Sequence, residues 1–149
     1  MDYSLPHARV LLEAMTLTAE RLKSGTKAAV PLPILRAILA AATSQMPFNK
    51  EFYLATYSDV AAACRAGQIR DPHAHFIESG YLEGRQGAKP EVDESYYRKT
   101  YPDVAAAIGK EEIKSAYEHY VKSGAAEGRY PNEAYMAHMK YWQEVFSRK

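Results

Sequence analysis

The sequence predicts an all-α protein with two tandem helical repeats of period 44. Residues 48–85 and 92–129 align without a gap at that offset, and 15 of the 38 aligned positions are identical. A repeat of this length is typical of a supersecondary unit that packs against its neighbour. Apolar residues recur at spacings of three and four, and no segment sustains the alternation of a strand. We therefore expect two repeats flanked by N-terminal and C-terminal capping helices.

The repeat divides the predicted domain organisation into four segments. They are an N-terminal helical segment 1–47, repeat 1 at 48–91, repeat 2 at 92–130 and a C-terminal helix at 131–149. A chain of 149 residues with 47% hydrophobic and 25% charged residues is ordinary for a globular protein with one core. We expect the four segments to form one compact domain, with 86–91 as a short polar linker between the copies.

Two helices are predicted before the first copy. The apolar face of the first, over 5–23, has members three or four residues apart: Leu11, Met15, Thr18 and Leu22. Ser4 is its predicted N-cap, with Pro6 in the first turn. Gly25 is the predicted stop, because glycine is the usual left-handed residue after a helix. The second helix is predicted over about 33–44.

Each copy is predicted to begin with two short helices. Asn49 and Asp93 align and are good N-caps for the first of them. A break is expected at Tyr57 and Tyr101, because proline follows in the second copy and is tolerated only at the start of a helix. The second helix then begins at the sequence DVAAA. Its first turn holds Asp59 and Asp103, where a carboxylate is favoured by the helix dipole.

A third helix is predicted to close each copy. In the first copy it starts after Asp71, which is followed by proline, and in the second after Ser115, which forms a capping box with Glu118. Gly80 and Gly124 are the predicted stops. A final helix is predicted over 133–147, with an apolar stripe at helical spacing: Tyr135, Met139, Trp142 and Phe146.

The charge, cysteine content and hydropathy of the chain limit its possible partners and location. The net charge of +1 gives no electrostatic footprint for nucleic acid. The single cysteine, Cys64, cannot form an internal disulfide and is predicted to be a small buried hydrophobe. The apolar stretch 30–42 is too short to span a bilayer and contains Arg36. With no signal peptide visible, we expect a cytoplasmic location, with signal-less export to the cell surface as the alternative.

One pattern is common to the two segments FYLATYSDVAAA…HFIESGYLEGR and YYRKTYPDVAAA…HYVKSGAAEGR. They resemble a short bacterial tandem repeat, Y-Y-L-x-x-Y-P-D-V-A-A-A followed by H-Y-x-x-x-G-x-x-E-G-R. That repeat occurs in polysaccharide-associated glycosyltransferases and in surface or secreted proteins, as an accessory module. The resemblance covers 48–129 and departs from the pattern at Ser58 and Phe76. It implies a polysaccharide or cell-envelope context rather than a reaction.

Eight residues are candidates for ligand binding. Four come from the turns Glu83-Gly84-Arg85 and Glu127-Gly128-Arg129, which form either a charged recognition surface or a turn. In a turn, Gly84 and Gly128 would adopt a positive φ, and the charges would pair with Asp59 and Asp103 or with the adjacent unit. The locking of neighbouring units favours the turn.

The other four candidates are two histidines and two tyrosines. His75 and His119 align and are either ligand-binding imidazoles or histidines packed against a neighbouring carbonyl or carboxylate, which we favour. Tyr81 and Tyr130 lie near turns and are candidates for an exposed platform on which a sugar ring stacks. The remaining repeat tyrosines are interpreted as core: Tyr53, Tyr57, Tyr97 and Tyr101, on stripes with Val60, Cys64, Val104 and Ile108.

The favoured function is a non-catalytic binding or adaptor protein linked to surface-polysaccharide recognition or synthesis. No catalytic motif, cofactor fingerprint or zinc-type spacing is visible, so we predict no enzyme, no cofactor and no metal. The expected partner is a polysaccharide or a protein of the envelope machinery, with a homo-oligomer possible. The alternative is a protein–protein scaffold or structural subunit of a larger assembly, such as phage-like or secretion machinery. The third hypothesis, a glycan-acting enzyme, requires a cleft with two carboxylates.

Overall fold

The computed structural model describes residues 3–25 and 27–148, and within them all regular secondary structure is helical. The all-α prediction is therefore confirmed. The described residues form ten α-helices: α1 (Ala8–Ala14), α2 (Ala19–Ser24), α3 (Leu32–Thr43), α4 (Lys50–Thr56), α5 (Ser58–Arg65), α6 (Pro72–His75), α7 (Glu94–Thr100), α8 (Pro102–Gly109), α9 (Ala116–His119) and α10 (Glu133–Ser147).

The contacts within the chain group these residues into two compact units. The first unit ends at Lys89, and the second runs from Pro90 to Arg148. The boundary falls inside the predicted linker 86–91, so each unit contains one copy of the repeat. The predicted single domain stays a prediction.

The predicted helix over 5–23 is wrong in its extent, because it is two helices. Its N-cap is His7 rather than Ser4, and the His7 ring accepts a hydrogen bond from the Arg9 amide at 3.3 Å. The chain leaves the helical path at Thr16, where φ is 55°. Thr18 then caps α2 by accepting a hydrogen bond from the Arg21 amide at 3.1 Å. A short polar side chain that bonds the backbone locally favours such a restart over a continuous helix.

Two further details at this end differ from the prediction. Gly25 has φ −78° and ψ 152°, which is extended rather than left-handed. Leu22, expected on a buried face, is 61% exposed. In contrast, α3 over Leu32–Thr43 matches the predicted 33–44, with Pro33 in its first turn as expected for a residue that lacks an amide hydrogen.

The first two helices of each copy are confirmed. Asn49 caps α4 by accepting from the Phe52 amide at 2.7 Å, and Asp93 caps α7 by accepting from the Tyr96 amide at 2.9 Å. Both helices end at the tyrosine that was predicted to break them, Tyr57 or Tyr101.

Aligned residues form the core of each unit. Tyr53, Val60 and Phe76 are buried in the first unit, together with Ile77. The second unit buries the equivalents of the first three, Tyr97, Val104 and Tyr120, together with Ala116. Tyr57, Cys64, Tyr101 and Ile108 are half-buried against these clusters. The tyrosine stripes are therefore core, as predicted.

The third helix of each copy changes its winding halfway. The start is as predicted: Asp71 accepts from the His73 amide at 2.9 Å, and the Ser115 hydroxyl accepts from the Glu118 amide at 3.0 Å. The other half of the capping box is missing, because Glu118 accepts instead from the Lys114 amide at 2.7 Å. Helices α6 and α9 then continue as π-helical turns over Phe76–Gly80 and Tyr120–Gly124.

Gly80 and Gly124 are the last residues of these turns, so the predicted ends of the third helices are confirmed. The Tyr81 and Ala125 amides, at the C-caps, donate to carbonyls five residues back, at 2.9 Å each. The left-handed residues come four positions later, at Gly84 (φ 77°) and Gly128 (φ 74°). The positive φ predicted for these two glycines is confirmed.

Each copy is closed by a backbone hydrogen bond between its two ends. The Asn49 amide donates to the Gly87 carbonyl at 2.8 Å, and the Asp93 amide donates to the Pro131 carbonyl at 3.0 Å. Helix α10 follows in the second unit with the predicted bounds, and Asn132 caps it by accepting from the Tyr135 amide at 2.8 Å.

Candidate functional site

The repeated charges form the same cluster in both units, which we call the arginine cluster. In the first unit, Arg85 donates two parallel hydrogen bonds to Asp59, at 3.0 and 2.8 Å, and a third to Glu83 at 2.7 Å. In the second, Arg129 does the same to Asp103, at 2.9 and 2.7 Å, and to Glu127 at 2.7 Å. Both carboxylates lie in the same copy as their arginine, not in the adjacent one.

The flat face of each guanidinium is occupied as well. Arg85 lies over the Tyr57 ring at 5.0 Å, and Arg129 lies over the Tyr101 ring at 4.9 Å, within the range of a cation–π contact. The two tyrosine hydroxyls accept hydrogen bonds from the Gln86 and Tyr130 amides, at 2.7 Å each. The cluster thus joins the start of one helix to the turn that ends the copy, and these contacts favour the turn over a recognition surface.

The arginine cluster should make stability depend on pH. The hydrogen bonds from Arg85 and Arg129 lower the pKa of Asp59 and of Asp103 to about 2, from an ordinary 3.8. A carboxylate with a lowered pKa in the folded state contributes stability that is full above the unfolded pKa and is lost as pH falls through the folded pKa. We expect the Asp59→Asn/Asp103→Asn variant to unfold at lower urea than the wild type at pH 7, and the two midpoints to converge between pH 4 and pH 2.

Urea titrations of both proteins at several pH values measure this difference. Comparing midpoints at each pH removes the titration of the other carboxylates, which is common to both chains. A midpoint difference that stays constant from pH 7 to pH 2 would contradict the assignment of the Asp–Arg pairs to stability.

The two aligned histidines each share a hydrogen bond with a buried tyrosine. The Tyr53 hydroxyl lies 3.1 Å from Nδ1 of His75, and the Tyr97 hydroxyl lies 3.0 Å from Nδ1 of His119. Burial raises the pKa of both tyrosines to about 12, so their hydroxyls stay protonated. The packed interpretation is favoured for both histidines, although the partner is a tyrosine hydroxyl rather than the expected carbonyl or carboxylate.

The π-helical turns bring a glycine against each of these hydroxyls. A Cβ atom on Gly80 would overlap the Tyr53 hydroxyl oxygen, and one on Gly124 would overlap the Tyr97 hydroxyl oxygen. The tyrosine side chains are fully buried, each within the core of its unit. The structural role of these two glycines is therefore a close approach, and the sequence alone did not reveal it.

A cavity in the first unit is the clearest candidate for a ligand site, and we call it the α3 cavity. Its volume is about 570 Å³, inside the range of about 300–1,000 Å³ that is common for small-molecule sites. Helix α3 forms one wall, and the π-helical turn with the residues after it forms another. The described lining residues are Tyr3, Ser4, Arg36, Ala37, Leu39, Ala40, Thr43, Ile77, Glu78, Tyr81 and Leu82.

The α3 cavity combines an apolar floor with polar groups at its rim. Ile77 is buried, whereas Tyr81 at the rim is 41% exposed. The Tyr3 hydroxyl donates a hydrogen bond to Glu78 at 3.0 Å, and burial together with this bond raises the pKa of Tyr3. Arg36 is exposed, and the structure gives it no hydrogen-bond or ion-pair partner among the described residues.

The lining of the α3 cavity is specific to the first copy. Tyr81 and Leu82 align with Ala125 and Ala126, and Glu78 aligns with Lys122. Of the eight predicted site residues, only Tyr81 lines this cavity. Sequence analysis missed Arg36 and Glu78, and Arg36 drew attention only as a charge inside an apolar helix.

Tyr130 is not the exposed platform that was predicted. It is half-buried in the second unit, where its hydroxyl accepts a hydrogen bond from the Gln143 side chain at 2.7 Å. Among residues 3–25 and 27–148, no group of three His, Cys, Asp or Glu side chains is placed to hold a metal ion. In the same part of the chain, every helix is too short or too polar to cross a bilayer.

No protein-family model, curated protein or solved structure matches this chain. The resemblance to the bacterial tandem repeat therefore stays a prediction.

Proposed function

We propose that this protein is a non-catalytic binding protein for bacterial surface polysaccharide, and that the α3 cavity receives an acidic sugar of that polymer. The observation that carries the proposal is the placement of Arg36, without a partner among the described residues, in one cavity with the half-exposed ring of Tyr81. Arg85 and Arg129 are not assigned to sugar binding, because each guanidinium already contacts two carboxylates and a tyrosine ring.

Each part of the cavity matches one property of such a sugar. The apolar face of a pyranose ring packs on an aromatic side chain such as Tyr81, and the neighbouring Leu82 extends the apolar surface. The fork of donors on Arg36 fits the two oxygens of a uronic acid carboxylate. Glu78 accepts one hydrogen bond, from Tyr3, at one of its two carboxylate oxygens, which leaves capacity to accept from a sugar hydroxyl.

Calorimetric titration with two oligosaccharides of equal length, one rich in uronic acid and one neutral, tests the proposal. We expect the acidic oligosaccharide to bind more tightly. Arg36→Ala should weaken acidic binding by about tenfold to a hundredfold, since a hydrogen bond to a charged group contributes about 1.5–3 kcal/mol. Tyr81→Ala should weaken binding of both oligosaccharides, whereas Tyr81→Phe should retain most of it because the ring remains.

Arg98→Ala is the matched control, because Arg98 is an exposed arginine on α7 of the second unit. It should leave the binding of both oligosaccharides unchanged. The proposal fails if neither oligosaccharide binds at millimolar concentration. It also fails if Arg36→Ala and Arg98→Ala have equal effects.

The two other hypotheses make different demands on the structure. A glycan-acting enzyme of the usual kind needs two carboxylates about 5–9.5 Å apart, and Glu78 is the one carboxylate among the described lining residues. The scaffold alternative draws support from the exposed aromatic residues of α10. The cytoplasmic location and a partner from the envelope machinery remain part of the proposal.

A further inference from the structure

Helix α10 carries aromatic side chains that its own unit leaves partly exposed, with Met139 between them half-buried. None of its fifteen residues is buried. Tyr135 is 42% exposed, Trp142 41% and Phe146 60%. An isolated helix of this length is marginal in water, and most helical stability comes from packing of the apolar face. The aromatic face of α10 therefore has the character of a contact surface.

The apolar stripe of α10 has the spacing of a two-helix seam. Tyr135, Met139, Trp142 and Phe146 are separated by four, three and four residues, which is the a/d alternation of a heptad. The stripe is also symmetric about the point between Lys140 and Tyr141. In an antiparallel pair of identical helices centred there, Tyr135 faces Phe146 and Met139 faces Trp142, so the surface is complementary to itself.

The charges at the two ends of α10 select the antiparallel arrangement. Glu133 lies in the first turn and Arg148 at the C-cap, and they are symmetric about the same midpoint. Antiparallel pairing places each Glu133 opposite an Arg148 of the second copy. Parallel pairing would place like charges together at both ends, which is unfavourable.

Burial of the central tryptophan leaves no unsatisfied donor. The Trp142 indole nitrogen donates to Nε2 of His138 at 3.2 Å, within the same helix. Buried indole groups usually need such a partner, and here it is already in place. The Trp142 ring also contacts Phe146, with ring centroids 5.8 Å apart, so both rings belong to one continuous patch.

We propose that the occupant of this face is α10 of a second copy of this chain, in a two-fold symmetric antiparallel pair. The seam consists of the stripe residues, and the Glu133–Arg148 pairs close its two ends. The inference does not rest on the polysaccharide proposal, since α10 and the α3 cavity lie in different units. If both hold, each dimer contains two α3 cavities.

Sedimentation equilibrium over a concentration series tests the dimer directly. We expect the full chain to approach twice its mass of 16.7 kDa. Phe146→Glu should give the monomer mass, because it places a charge in the seam. Ala137→Glu is the matched control: Ala137 is exposed on the same helix but lies off the stripe, so the same new charge there should leave the dimer intact.

Charge reversal tests the orientation. Glu133→Arg leaves a basic residue at both ends of α10, and Arg148→Glu leaves an acidic residue at both ends. Each alone should weaken dimerisation by about tenfold to a hundredfold, since two attractive pairs become two repulsive ones. A mixture of the two variants should restore a dimer, as should the double variant Glu133→Arg/Arg148→Glu by itself.

The double variant separates pairing from helix stability. Both reversals oppose the helix dipole, so an effect on the helix alone would make the double variant the weakest of the three. Circular dichroism checks whether each variant keeps its helical content. A monomer at every concentration, an assembly larger than a dimer, or failure of the mixture to associate would each overturn the proposal.

Discussion

Replacing Tyr97 with alanine is expected to lower the free energy of unfolding by about 3–5 kcal/mol, the usual cost of truncating a large buried aromatic side chain. Tyr97 is fully buried at the centre of the second core. Its ring contacts Tyr101 at 4.7 Å and Tyr120 at 6.1 Å between centroids, and its hydroxyl bonds His119. A protein has about 5–15 kcal/mol of stability in total, so the loss is a large part of it.

The aligned residue gives an internal comparison. Tyr53 is equally buried in the first unit, so Tyr53→Ala should cost a similar amount. Tyr141→Ala is the control, because this exposed tyrosine should change the unfolding free energy by less than about 0.5 kcal/mol. Urea unfolding monitored by circular dichroism measures all three. A loss below about 1 kcal/mol for Tyr97→Ala would contradict its central place in the core.

The substitution Gly80→Ala, which adds one methyl group, is expected to lower the free energy of unfolding by about 1–3 kcal/mol, the usual cost of overfilling a packed site. The new Cβ would overlap the Tyr53 hydroxyl oxygen. Gly124→Ala should cost as much through Tyr97. Gly109→Ala is the control with the opposite sign, because nothing lies within 4 Å of its Cβ position at the end of α8. Alanine there should stabilise by up to about 1 kcal/mol.

A double-mutant cycle isolates the contact with the hydroxyl. In the Tyr53→Phe background the overlapping oxygen is gone, and the nearest ring carbon would lie 3.4 Å from the new Cβ, an ordinary contact. Gly80→Ala should therefore cost less there than in the wild type. The rescue should be smaller in the second unit, because Nδ1 of His119 remains 3.1 Å from the Cβ position on Gly124. Strict additivity in the first unit would refute this explanation.

Local signals in the sequence were sufficient for most of the helices. Caps such as Asn49, Asp93 and Asn132 act through bonds to nearby backbone amides, so their positions fix where a helix begins. The break at Tyr57 and Tyr101 could be predicted because Pro102 follows Tyr101, and a helix tolerates proline only in its first turn. The pairing of Arg85 with Asp59 was one of the two arrangements expected for the repeated charges, the other being a pair with the adjacent unit.

Features set by tertiary contacts could not be read in the same way. The π-helical turn at Phe76–Gly80 exists where a glycine meets the Tyr53 hydroxyl, a contact across 27 residues of sequence that leaves no periodic trace. The α3 cavity joins residues from outside the repeat, such as Tyr3 and Arg36, to Tyr81 inside it. The repeat points to residues that are present in both copies, whereas residues such as Tyr3, Arg36 and Tyr81 in the cavity have no identical counterpart in the second copy.

The bond that closes each copy has an evolutionary consequence. The Asn49–Gly87 and Asp93–Pro131 backbone bonds join the two ends of the same copy, and the salt bridges of Arg85 and Arg129 stay inside it as well. Recombination between duplicated gene segments can therefore insert or delete a whole copy without leaving any of these donors or acceptors orphaned. Selection is then free to diversify the surface of one duplicate while the other keeps the ancestral framework.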